Sequence, residues 1–170
     1  RLRRERQAVI DGHLAAAQEA MLAGRVDQPP DDSAWTHYRE ALDLDPGNEA
    51  ARAGLASVQA ALVERALAYA RDLDFETADR VLEDAALVTD GPDTVLRAKD
   101  EISEFREEYA AELEVQAVSA MDAGRFEQAE RALIGLVALG GMDSEVNRLR
   151  RRMEEARVYG GLKPCQVIRD

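Results

Sequence analysis

Histidine is the side chain that most often combines metal binding with acid–base chemistry near neutral pH, and this chain has two, His13 and His37. The carboxylate nearest to His13 in sequence is Asp11, but residues two positions apart do not share a helix face. His37 has Glu40 three positions later and Asp32 five positions earlier. Two ligands do not complete a structural zinc site, which generally has four. We therefore expect exposed or capping histidines and no bound metal.

The other reactive side chains form no recognisable catalytic pattern. Acidic residues are too numerous for one pair to stand out as acid and base, since a catalytic carboxylate needs a pocket that shifts its pKa. The loop at 27–32 contains three aspartates but lacks the alternating ligands and final glutamate of a calcium loop. Cys165 is the only cysteine and has no neighbouring base. Since no phosphate-binding or nucleophile motif is present either, we expect no catalytic residue and no cofactor.

The charge is strongly acidic and unevenly distributed. A net charge of −12 argues against nucleic acid as a partner, because a phosphate-binding surface needs a basic excess. The stretch 72–114 contains 15 acidic residues and 4 basic ones, whereas both ends of the chain are rich in arginine. Solvated helix faces explain this pattern. The alternatives are docking of a basic protein on the acidic stretch and self-association of the ends with the middle.

Four residues are candidates for contact with a protein partner. Three are acidic residues of that stretch, and the fourth is the only tryptophan, which follows the Pro29-Pro30 loop. A tryptophan beside a loop either packs on the adjoining helix or serves as an anchor for a partner. The four candidates are Glu101, Glu104, Glu108 and Trp35.

The composition predicts an all-α fold. Alanine and leucine are abundant, whereas aromatic residues make up only 5% of the chain. This mixture favours helices and leaves few of the residues that strands prefer. No apolar run approaches the roughly 20 residues of a membrane span, and no signal peptide is evident. We expect a soluble segment of a longer protein without membrane insertion, and the excess of arginine over lysine suggests a bacterial source.

Hydrophobic periodicity predicts seven helices. Apolar residues recur at spacings of three and four in each of them. Gly24 ends the first helix in the manner of a C-terminal cap, Ser33 is suited to begin the second, and Asp45-Pro46-Gly47 ends it. The third and fifth helices are unusually long. The predicted ranges are 7–23, 34–44, 48–73, 75–89, 94–122, 125–139 and 143–159.

A turn followed by a helix occurs three times. Each copy has a tight turn, an apolar residue, and then an alanine near the start of the next helix; in the first copy an insertion displaces this alanine. Small residues on facing stripes let antiparallel helices approach closely, and stacked pairs of helices build a solenoid. The turns are 23–26, 72–75 and 123–126, and the alanines are Ala34, Ala78 and Ala129.

Four residues after the insertion, Ala34, Tyr38, Ala41 and Pro46, have a distinctive spacing. It resembles the second-helix signature of tetratricopeptide repeats. The turn at 124–126 is similar to the turn between the two helices of the same repeat. The resemblance implies a short α-solenoid of stacked antiparallel helix pairs that binds other proteins.

Tyr69 lies nine residues before Ala78, where the first-helix tyrosine of that family would be. The repeats are longer than the usual length of about 34 residues: the aligned alanines Ala34, Ala78 and Ala129 are 44 and 51 residues apart. The tryptophan and Leu-Gly positions of the family are not filled. We therefore expect an irregular superhelix to which the family's binding residues do not transfer.

The last ten residues, Gly161 to Asp170, include Leu-Lys-Pro and an Ile-Arg-Asp ending. They resemble the stretch that opens formylglycine-generating, sulfatase-modifying enzyme-like domains in bacterial multidomain proteins, although Cys165 and Ile168 replace its usual Gly and Phe. A repeat region with an element like Asp45-Pro46-Gly47-Asn48 precedes such domains. The implied organisation is a tetratricopeptide-like domain at 1–159 followed at 160–170 by a linker and the start of the enzyme domain.

These observations favour a non-catalytic scaffold. It would position the neighbouring enzyme-like domain or recruit a protein partner. The alternative is a homo-oligomerising helical module, in which the apolar stripe from Val95 to Ala120 pairs between two chains. If the parent protein has the membrane-anchored architecture known among such proteins, the segment lies outside the cytoplasmic membrane.

Overall fold

A computed structural model describes residues 2–89, 91, 93–140 and 143–159. These residues form seven α-helices and no β-strand, which confirms the all-α prediction. The predicted linker at 160–170, with Cys165, lies outside the described residues. The helices are α1 Leu2–Leu22, α2 Ala34–Leu44, α3 Glu49–Arg71, α4 Phe75–Ala86, α5 Asp93–Asp122, α6 Phe126–Ala138 and α7 Asp143–Tyr159.

The helix bounds agree with the periodicity to within a few residues, and α3 and α5 are the two longest helices, with 23 and 30 residues. The largest difference is at the start of α1, which begins at Leu2 rather than near residue 7. Its first turns are mostly arginine and glutamate, which form helix well but show no apolar periodicity. None of the described helices is long and apolar enough to cross a membrane.

Side-chain caps fix where three of the helices begin. Ser33 accepts a hydrogen bond from the backbone N–H of Thr36 at 3.2 Å, as predicted. Asn48 and Asp74 cap α3 and α4 in the same way. A capping side chain satisfies an N–H group that has no partner inside the helix, so these residues make each start definite.

The three repeated turns share one backbone structure. In each, the second residue has a left-handed conformation, with φ of 75° at Gly24, 64° at Leu73 and 69° at Gly124. The next N–H then donates to the carbonyl oxygen five residues earlier, at 2.8–2.9 Å. This is the hydrogen bond of the Schellman motif, which satisfies a carbonyl at the helix end. The three alanines aligned from these turns, Ala34, Ala78 and Ala129, are all fully buried.

The chain divides into two compact units, Arg1–Ser103 and Glu104–Asp170. In unit 1, α1 packs on α2, α2 on α3 and α3 on α4, and α1 also contacts α3. The ring of Tyr38 on α2 lies directly over Gly54 of α3, and its burial raises the pKa of the Tyr38 hydroxyl. The amide of Gln59 donates to the carbonyl oxygen of Ala85 at 3.1 Å, which ties α3 to the end of α4.

Tyr69, which the resemblance aligned with the first-helix tyrosine of the repeat family, lies near the C-terminal end of α3. Its side chain is exposed on α3, while Ala66 and Ala70 on either side of it are buried. The stripe of α3 that faces the core therefore contains alanine at this level.

In unit 2, α6 packs on α7, and Leu113 of α5 packs against Gly135 of α6. One apolar cluster joins these three helices. Three arginines of α7 form ion pairs with acidic residues of α5 and α6. Some of the basic residues near the end of the chain therefore neutralise acidic residues of the same unit. The pairs are Arg148–Glu114 at 3.3 Å, Arg152–Asp122 at 3.0 Å and Arg157–Glu130 at 3.4 Å.

Candidate functional site

The two histidines lie together in unit 1, between α1 and α2. Nδ1 of His13 is 3.0 Å from Oε2 of Glu40, and Nδ1 of His37 is 3.3 Å from the same oxygen. The centroids of the two imidazole rings are 5.9 Å apart. One potential ligand atom from each of the three residues lies within 4.8 Å of the others. We call His13, His37 and Glu40 the histidine cluster.

Asp32 extends this cluster on the side of the insertion loop. Its Oδ1 is 3.0 Å from Nε2 of His37, and its Oδ2 is 3.4 Å from Nε of Arg25. The hydrogen bond with His37, followed by the positive charge of Arg25, holds the pKa of the Asp32 carboxyl below its ordinary value. Asp32 is therefore a carboxylate that accepts hydrogen bonds and donates none.

The loop that supplies Asp32 is closed at its base by backbone hydrogen bonds. Ala34 and Trp35 donate to the carbonyl oxygens of Arg25 and Val26 at 2.9 and 3.0 Å. Within the loop, the hydroxyl of Thr36 donates to Pro30 at 2.6 Å. The insertion is thus attached to the start of α2, and this attachment places Asp32 beside His37.

A second ion pair holds the other end of the loop. Asp27 accepts from Arg65 of α3 at 2.8 Å, and the Asp27 side chain is only 10% exposed. Both ends of the insertion are therefore anchored to the helices of unit 1.

Nδ1 of His37 is buried, and it forms no hydrogen bond with any described residue although Glu40 is close. Because Nε2 donates to the Asp32 carboxylate, a neutral His37 has its unprotonated lone pair on Nδ1. This lone pair faces a carboxylate oxygen, which is also an acceptor. A proton on Nδ1 or a cation between the two atoms would remove that repulsion.

The sequence indicated only part of this cluster. Glu40 and Asp32 lie near His37 in the sequence, whereas Asp11, the carboxylate nearest to His13 in sequence, is not part of the cluster. His13 follows the buried Ile10 by three residues, and His37 follows the buried Ala34 by three. Both histidines therefore lie at the edge of the apolar stripe of their own helix, and this is the signal in the sequence that could have placed them at the contact of α1 and α2.

Trp35 lines a separate groove of unit 1, formed by α2, α3 and the end of α4, with a volume of about 950 Å³. The indole is half-buried, and its N–H has no acceptor among the described residues. Leu55 and Val88 form buried parts of the groove wall, and the side chain of Leu87 is 72% exposed beside them. We call this the Trp35 groove; its full lining is Trp35, Arg39, Leu42, Asp43, Arg52, Leu55, Ala56, Ala86, Leu87, Val88 and Thr89.

The acidic candidates lie elsewhere on the molecule. Glu101 is 3.8 Å from Arg71 in a solvent-exposed ion pair of unit 1 and does not line the Trp35 groove. Glu104 and Glu108 belong to unit 2 and are exposed on α5.

Comparison with known proteins identifies no relative of the chain. No protein-family model, no curated protein and no solved structure matches it.

Proposed function

We propose that this region is a non-catalytic, tetratricopeptide-like scaffold that docks a neighbouring formylglycine-generating-enzyme-like domain of the same protein. The observation that supports this best is the Trp35 groove, which combines an apolar wall with a half-buried tryptophan. Tryptophan is among the residues that contribute most to the affinity of protein interfaces. The volume of about 950 Å³ is at the upper end of the range for ligand-binding clefts.

The groove offers two kinds of contact to a docked segment. Leu87 is largely exposed next to buried wall residues, so covering it removes apolar surface from water. Arg39, Arg52 and Asp43 lie along the same groove, which gives its polar part a net positive charge. An apolar segment flanked by an acidic side chain therefore fits this surface best.

Two resemblances of the sequence support the choice of occupant. The tetratricopeptide-like spacing of Ala34, Tyr38, Ala41 and Pro46 implies a protein-binding module. The stretch from Gly161 to Asp170 resembles the start of the enzyme domain, so such a domain would be present at high effective concentration. A connection of this kind lets even a modest groove hold its partner.

Trp35 provides a direct assay, because it is the only tryptophan of the chain. Fluorotryptophan incorporated into the chain gives a single fluorine NMR signal that reports on the groove. We expect this signal to shift when the separately purified neighbouring domain is added. A gene in which no sulfatase-modifying-type domain follows Asp170 would refute the choice of that domain.

Two matched variants show whether the groove is responsible. Leu87→Asp places a charge in the groove and is expected to abolish the shift. Leu22→Asp places the same charge on a leucine that is 92% exposed and does not line the groove, and is expected to preserve it. An unshifted signal, or equal effects of both variants, would refute docking in the Trp35 groove.

The alternative function is self-association. In the stripe of α5 that the sequence suggested for it, Val95, Ile102 and Leu113 are buried within the chain, whereas Phe105 and Tyr109 are half-buried. A different surface is available on α6, where Ile134 and Val137 are 62% and 50% exposed one turn apart. Light scattering at low and moderate salt distinguishes the two functions, since a monomer under both conditions would exclude self-association.

A further inference from the structure

The histidine cluster has the donors of a three-ligand zinc site. His37 and Glu40 are three residues apart on α2 and so share a helix face, while His13 faces them from α1. Two imidazoles and one carboxylate form a known ligand set for zinc that leaves one position open to solvent. We propose that His13, His37 and Glu40 bind a divalent transition-metal ion, with Zn²⁺ as the ion that matches the donors best.

The distances fit this ion. Two atoms that are each about 2.0–2.1 Å from a tetrahedral zinc ion lie about 3.3 Å from one another. Oε2 of Glu40 lies 3.0 Å from Nδ1 of His13 and 3.3 Å from Nδ1 of His37. One donor atom of each residue lies within 4.8 Å of the donor atoms of the other two. The two distances at Oε2 of Glu40 therefore match the spacing of ligands around a tetrahedral zinc ion.

The orientation of His37 is also that of a ligand. The carboxylate of Asp32 accepts the Nε2–H hydrogen bond at 3.0 Å, which leaves the lone pair of neutral His37 on Nδ1. Metal-binding histidines commonly donate their other N–H to a carboxylate in this way, which fixes the tautomer and the ring. Nδ1 is buried and without a hydrogen bond among the described residues, and an ion next to Oε2 of Glu40 would give both atoms a partner.

Asp32 is accordingly a positioning residue. It contacts Nε2 of His37 at 3.0 Å and is not one of the three proposed ligands. Arg25 holds it on the other side, with 3.4 Å between Nε and Oδ2. Bound metal would therefore link α1, α2 and the insertion loop. This role is independent of the Trp35 groove.

Titration of metal-free protein with Zn²⁺ in a calorimeter tests the site. We expect one ion per chain. Loss of an outer-shell partner weakens metal binding roughly tenfold to hundredfold. We expect a loss of Zn²⁺ affinity within this range for Asp32→Asn. For His13→Ala and Glu40→Gln, which each remove a ligand, we expect a loss of at least this size. Glu19→Gln is the matched control, because Glu19 is an exposed residue of α1 outside the cluster, and it should bind as the unmodified chain does.

Co²⁺ provides a second measurement that a merely structural effect would not change. Substituted protein should show the intense visible absorption of four-coordinate cobalt, and His13→Ala should lose it while far-UV circular dichroism is unchanged. Failure of the unmodified chain to bind Zn²⁺ would overturn the proposal. Equal binding by a His13→Ala, His37→Ala double variant would also overturn it, because the acidic surface would then be the site.

Discussion

Replacing Gly54 by alanine tests the packing of α2 on α3. An added Cβ at this position would overlap with Cδ1, Cε1 and Cζ of the Tyr38 ring, because all three atoms lie well inside van der Waals contact distance. The ring is only 6% exposed, so it cannot move without displacing its neighbours. Overfilling a packed contact costs about 1–3 kcal/mol. Because three ring atoms are involved, we expect an overlap cost of about 2–3 kcal/mol within that range.

Helix propensity acts in the opposite direction. Alanine is favoured over glycine in a helix interior by about 1 kcal/mol. Gly12 in α1 belongs to the same unit, and a Cβ added there has nothing within 4 Å, so Gly12→Ala measures propensity alone. We expect Gly12→Ala to raise the free energy of unfolding by about 1 kcal/mol and Gly54→Ala to lower it by about 1–2 kcal/mol.

Urea denaturation followed by far-UV circular dichroism measures both changes. The difference between the two variants is the cost of the overlap, since the propensity gain is common to them. In a Tyr38→Leu background the ring is absent, and Gly54→Ala should there regain most of the lost stability. The packing of Tyr38 over Gly54 would be refuted if Gly54→Ala stabilised the protein as much as Gly12→Ala, or if its loss persisted without the ring.

Two further predictions concern burial in other parts of the molecule. Ala78→Leu and Ala129→Leu should each lower the free energy of unfolding of their own unit by about 1–3 kcal/mol, because both alanines are fully buried; neutral results in urea denaturation for both would contradict the alignment of the repeats. Arg65→Met should lower the free energy of unfolding by about 1–3 kcal/mol in the same assay, because it leaves the buried carboxylate of Asp27 without its partner. Arg71 belongs to an exposed ion pair, so Arg71→Met should change the free energy of unfolding by less than about 0.5 kcal/mol. Equal losses for the two arginine variants would show that burial does not determine the strength of these pairs.

The helices were predictable because their signals are local. Apolar spacing fixes which residues face inward, and Ser33 and Gly24 mark helix ends through hydrogen bonds and backbone conformation that depend on neighbours in sequence. α1 extended further than predicted because its arginine-rich start has helix formers without an apolar stripe.

The histidine cluster was not predictable by the same means. The contact between His13 and His37 depends on the relative position of α1 and α2 along their axes. The spacing of apolar residues within each helix does not specify that position. Asp32 reaches His37 because the insertion folds back on itself, through the hydrogen bonds of Ala34 and Trp35 with the residues before the loop. The candidate site therefore depends on contacts between helices and loop, which the sequence does not show directly. The helices depend on contacts between residues that are close in sequence.

The turn at Leu73 shows which property is repeated along this chain. Gly24 and Gly124 adopt a left-handed conformation readily, whereas a leucine in this conformation costs roughly 1–2 kcal/mol, yet all three turns have the same hydrogen bonds. The packing of α3 on α4 therefore offsets this cost at Leu73. Among these three turns, glycine marks two, whereas the backbone hydrogen bond to the carbonyl five residues earlier marks all three. What the three turns have in common is therefore their pattern of backbone hydrogen bonds, which is kept at Leu73 without the glycine that usually accompanies it.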